Sequence, residues 1–134
     1  MMAPDSNLSF LPLDQSIDWS VYAIKPTACL LVIDNVVSDD SLASIVAGAI
    51  GIGCTSFLTW GREADSLHDR IDDLLEDGSD DWLRILTTSH KKKNAEDLSN
   101  FLFVATFPNR PDVRYLIITD RPSEELKKII VDPR

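Results

Sequence analysis

Three groups of side chains in this sequence have the types and spacing that chemistry or recognition requires. Asp34 and Asp120 each follow an apolar run, Ala28–Ile33 and Val113–Thr119. A carboxylate just past a buried strand can hold a metal, act as a general base or accept an alcohol proton. Acids at such points also cap the next helix, and Pro122 suits Asp120 to a turn. In the second group, His90 follows Thr87-Thr88-Ser89 and precedes Lys91-Lys92-Lys93. Ser89, His90 and Lys91 at a helix start have the donors and charge for a phosphate or carboxylate. The same stretch also reads as a solvated basic turn. It has no glycine and no Gly-Lys-Ser/Thr ending, so it is not a phosphate-binding loop. The third group is acidic: Asp65, Asp69, Asp72, Asp73, Glu76 and Asp77, among acids running from Glu63 to Asp81 that are relieved only by the flanking Arg62 and by Arg70. At helical spacing these acids lie away from Leu67, Ile71 and Leu74 and form a concentrated negative surface.

Other chemistries lack their signatures. Gly48, Gly51 and Gly53 imitate a dinucleotide fingerprint but fall at the end of a helix, not between a strand and a helix start. No Gly-x-Ser-x-Gly turn exists, and neither Cys29 nor Cys54 has a basic neighbour in sequence to lower its pKa. No cysteine and histidine spacing makes a zinc site, and nothing calls for a cofactor. His68, beside Asp69 at the border of an apolar stripe, fits a hydrogen-bonded packing role better than that of a base or switch.

Four apolar runs, Ala28–Ile33, Thr55–Trp60, Leu83–Ser89 and Val113–Thr119, alternate with four stretches of helical period. Runs with so little polar alternation belong to strands buried on both faces, as in a parallel sheet. Ser38-Asp39-Asp40 open a helix through Leu42, Ile45, Val46, Ala49 and Ile50 that Gly51 and Gly53 end. Gly61 allows the turn into a second helix with Leu67, Ile71, Leu74 and Leu75, stopped by Gly78. Asn94 caps a third helix, and Pro122 starts a fourth. The expected fold is an α/β three-layer sandwich with a mostly parallel four-stranded sheet in the order 2-1-3-4. That order places a crevice between the ends of the first and third strands, lined by Asp34, Asn35, Thr88, Ser89 and His90. Residues 1–27, with Pro4, Pro12 and Pro26, read as an arm packed on a single α/β domain over 28–134, with a short helix near Asp14–Tyr22.

Gly53-Cys54, Trp60-Gly61, His68-Asp69, Thr87-Thr88, His90 and Phe107-Pro108 together resemble a small bacterial α/β domain family of unknown function, over roughly residues 28–120. The resemblance implies the α/β fold and carries no activity, cofactor or catalytic residue.

At 134 residues the chain matches one domain, with 44% hydrophobic and 26% charged residues. Its longest apolar stretch, Ile45–Gly53, is too short to span a bilayer, and its first residues lack a secretory signal pattern, so a cytoplasmic home and reduced cysteines are expected. The net charge of −9 argues against binding a nucleic-acid backbone directly. It favours a basic protein partner, and these features together point to a non-enzymatic immunity- or antitoxin-like protein that blocks a basic toxin such as a nuclease. Two other readings stand beside it. One is a small enzyme or binding domain for an anionic metabolite that uses Asp34, His90 and Asp120 as catalytic residues, with Ser89 and Lys91 on the anion. The other is a regulatory or scaffold homodimer joined through Trp60, Trp82 or the aromatic arm.

Overall fold

In a computed structural model, which describes residues 8–13, 17–78, 80–90 and 113–120, the chain forms a five-stranded, wholly parallel sheet. The strands are β1 (Leu8–Pro12), β2 (Thr27–Val32), β3 (Cys54–Thr59), β4 (Leu86–Ser89) and β5 (Arg114–Thr119). Helix α1 (Asp39–Gly51) joins β2 to β3, and α2 (Ala64–Asp77) leads from β3 towards β4. Every residue of β2 and of β5 is buried, as expected for strands covered on both faces.

The strand order is β1-β5-β2-β3-β4, which corrects the expected order 2-1-3-4 and the count of four. In terms of the four apolar runs, the observed order is 4-1-2-3. The first three lie side by side, and the fourth crosses back to the other flank of the first. Right-handed crossovers permit either arrangement, so local sequence does not choose between them. The fifth strand comes from the segment expected to be an arm: Leu8–Pro12 pairs with β5 from Leu8 opposite Tyr115 to Pro12 opposite Thr119. Pro12 lacks an N–H but sits on an edge strand, where one side of the backbone needs no ladder partner. Only the second half of the run Leu83–Ser89 is a strand; Asp80–Arg84 is a 3-10 turn.

Helices α1 and α2 pack on one face of the sheet. Leu42, Ile45, Val46 and Ala49 from α1 and Leu67, Ile71 and Leu75 from α2 meet Cys29, Leu31, Phe57, Leu116 and Ile118. The opposite face gathers Ala28, Leu30, Val32, Leu58, Val113, Tyr115 and Ile117. The helices expected after Asn94 and after Pro122, and hence the full third layer, lie outside the described residues. So does the start of the short helix expected near Asp14–Tyr22, of which a single 3-10 turn at Trp19–Val21 is seen.

Local chemistry explains the ends of the elements. Ser38 caps α1, its Oγ accepting from the Ser41 amide at 3.1 Å. Gly61, at φ 102°, makes the turn between β3 and α2. Gly48 lies against the Trp19 indole, so the glycine in α1 is a notch for the arm. At the opposite end of the sheet from Asp34, buried Arg114 donates to the carbonyls of Ala23 and Ile52 and lies 5.2 Å from the Tyr22 ring centre, fastening residues 22–25 to β5. Burial lowers the Arg114 pKa.

Candidate functional site

Two places gather the residues singled out from the sequence. The first is the point where the sheet topology reverses, between β2 and β5, since β2 leads to β3 on one side while β5 lies on the other. Ligands in open α/β sheets bind at such points. Here Asp34 and Asp120 do come together. The Asp120 carboxylate accepts from the backbone N–H of Asp34 at 3.1 Å, from that of Asn35 at 2.8 Å and from Asn35 Nδ2 at 2.9 Å. Arg62 donates to the Asp34 carbonyl at 3.0 Å. Asp120 therefore clamps the loop after β2, accepting from three of the chain's own donors.

His90 is not part of this junction. The strand it follows, β4, is separated from β5 by β2 and β3, which at ~4.8 Å per step is about 14 Å. The expected crevice between the first and third runs therefore does not form, and Asp34, His90 and Asp120 do not make one constellation. Buried His90 has its Nε2 2.7 Å from Thr88 Oγ1, and the Ser89 hydroxyl donates to the Asp65 carboxylate at 2.5 Å. A carboxylate already on Ser89 opposes an incoming anion. Lys91, the cation expected there, lies outside the described residues.

The second place is the acidic surface of α2. Asp65, Asp69, Asp73, Glu76 and Asp77 are exposed, Asp72 is partly exposed, and Asp80 and Asp81 extend the surface into the following turn. Arg62 and Arg70, the arginines next to and within α2, make their hydrogen bonds away from this surface, although Arg62 Nε also lies 3.8 Å from Glu63. Arg62 reaches Asp34, and Arg70 donates to the Val37 carbonyl and to Asp39 Oδ1, both at 2.8 Å. These arginines anchor the loop after β2, a role that sequence reasoning missed, since nothing in a run of mixed charges marks an arginine whose partner lies in another loop. His68 lies with Nε2 3.2 Å from the Thr87 carbonyl and 3.6 Å from Asp72. It packs α2 against β4, the bland role expected for it.

The acids stand against the helix's own electrostatics. Asp65/Asp69, Asp69/Asp73, Asp72/Glu76 and Asp73/Asp77 are like-charge i,i+4 pairs, each costing an isolated helix about 0.2–0.5 kcal/mol. Glu76 and Asp77 occupy the last turn, which has no basic residue, at the negative end of the helix dipole.

A family model, that of a domain of unknown function, DUF7684, matches residues 8–131. The chain belongs to the DUF7684 family. The match extends beyond residues 28–120 to take in β1, so the DUF7684 domain includes part of the segment expected to be an arm. No curated protein and no solved structure matches the chain. Among the described residues of this family member, no three His, Cys, Asp or Glu side chains are placed to hold a metal ion, and no helix is long and apolar enough to cross a membrane.

Proposed function

We propose that this DUF7684 protein is a non-enzymatic acidic interaction protein whose α2 surface, built from Asp65, Asp69, Asp72, Asp73, Glu76 and Asp77, docks a basic protein. The observation that carries this reading is that the surface keeps like charges on successive turns while Arg62 and Arg70 turn away to the loop after β2. An arrangement unfavourable to the isolated helix is relieved when positive charge arrives, and complementary potentials speed that encounter. The form best matched to a small acidic domain is a bacterial immunity- or antitoxin-like protein, acting in the cytoplasm, that occludes a basic toxin such as a nuclease. Two buried free thiols fit a reducing compartment. The metabolite-binding reading loses support because Asp120 is engaged by loop amides and Ser89 by Asp65.

The test is capture from the native host at low salt with the wild-type chain and with a variant carrying Asp69→Asn, Asp73→Asn, Glu76→Gln and Asp77→Asn. One basic protein should be retained stoichiometrically by wild type, released by a high-salt wash and lost from the variant. The same proteins on both columns would reject the surface.

A further inference from the structure

The acidic flank of α2 runs beside β4, the last strand in the described order. β4 ends the strand order, and among the described residues no strand pairs with its outer side. The His90 amide donates to the Thr59 carbonyl at 2.8 Å, which sets the phase of the ladder. Residues 88 and 90 direct their backbone groups to β3, and residues 87 and 89 direct theirs outwards. The Thr87 carbonyl is met by His68 from α2; among the described residues, the N–H groups of Thr87 and Ser89 and the carbonyl of Ser89 face outward along the edge. The two faces of this edge differ. On the α2 face Asp65 is bonded to Ser89, and Asp69 and Asp72 continue the row one and two turns on. Leu86 projects to the opposite face and is 66% exposed, with Leu83 just before it at 62%.

We infer that the β4 edge accepts an extended segment of the basic partner as an added strand, with basic side chains on the α2 face opposite Asp65 and Asp69 and apolar side chains on the Leu86 face. The inference rests on the acidic docking reading above and gives it a binding mode. Main-chain hydrogen bonds supply affinity in strand addition, and alternate side chains supply specificity. Charge complementarity decides the occupant. A second copy joined antiparallel through β4 would place both α2 helices on the same face with their acidic flanks adjoining, in a pair of chains each carrying −9.

The test uses the isotope-labelled full chain and a synthetic peptide of alternating lysine and valine, together with two analogues N-methylated at all lysines or at all valines. All lysine amides of a strand face one edge and all valine amides the other, so only one analogue can block the ladder. The parent peptide should slow hydrogen exchange of the Thr87 and Ser89 amides, and one analogue alone should bind at least tenfold more weakly. Asp65→Asn with Asp69→Asn should weaken the parent peptide by a similar factor. If both analogues bind like the parent while the aspartate variant binds weakly, strand addition is overturned and the acidic docking reading stands. If the aspartate variant binds the parent unchanged, charge recognition at this edge is overturned as well. Protection of Thr87 and Ser89 without peptide, in a chain that sediments as a dimer, would assign the edge to a second copy and overturn the basic occupant.

Discussion

Cys29 and Cys54 show how a residue's surroundings decide its chemistry. Both are buried and unpaired with each other, Cys54 donating weakly to the Ser56 carbonyl. Burial raises the Cys29 pKa well above its ordinary value of 9.0 and raises that of Cys54 to about 12. Thiolate is the reactive form, so at mildly alkaline pH neither cysteine of the folded protein should react with a disulfide reagent within minutes, while both should do so in urea. The unfolded chain releases these protons near pH 9.0 and the folded chain holds Cys54 to about 12. Stability contributed by the neutral thiols is therefore intact below that window and falls through it, by about 1.4 kcal/mol per pH unit per thiol. Urea midpoints that stayed constant across the window would contradict this burial. At the same scale, Asp34 and Asp120 were legible as strand-end acids because apolar runs stop at them. That Asp120 would grip the Asn35 amide was not legible, since it depends on β5 lying beside β2.

At the scale of elements, periodicity located most of the described sheet and both described helices, with strand ends shifted by a residue except at β4, which starts three residues late. Thr27–Val32 was expected at Ala28–Ile33, and Cys54–Thr59 at Thr55–Trp60. β1 escaped because Leu8–Pro12 is short, ends in proline and finds its partner about a hundred residues away, beyond any local signal. α1 offers a paired test. A Cβ on Gly48 would come within 2.1 Å of the Trp19 indole, whereas Gly51 has nothing within 4 Å of where its Cβ would be. Gly51→Ala should stabilise the fold by about 0.5 kcal/mol through helix propensity and a less flexible unfolded chain. Gly48→Ala gains the same propensity yet must displace Trp19, and should cost roughly 1–3 kcal/mol. Urea unfolding followed by tryptophan emission checks both, with a red shift expected for Gly48→Ala alone.

For the whole molecule, composition made the charge legible and left the path of the chain open, because crossing direction at the return to β5 has no local code. The charge predicts a response to salt. With a net charge of −9 and an acidic helix, raising ionic strength to about 0.3 M should increase the melting temperature by a few degrees as repulsion is screened. The variant neutralised at Asp69, Asp73, Glu76 and Asp77 should begin higher and rise less; a parallel rise in both would place the repulsion elsewhere. The pairing of β1 with β5 also governs how the protein is made. Leu8–Pro12 leaves the ribosome before the rest of the described sheet, but among the described residues its ladder partner is Arg114–Thr119. At the usual ~5–20 residues per second, the first strand waits roughly 5–20 s for its neighbour. During that interval β2, the centre of the finished sheet, has one flank unfilled. Closure is thus a late, long-range step, and a nascent chain stalled before Arg114 displays an open strand edge to whatever else is in the cell.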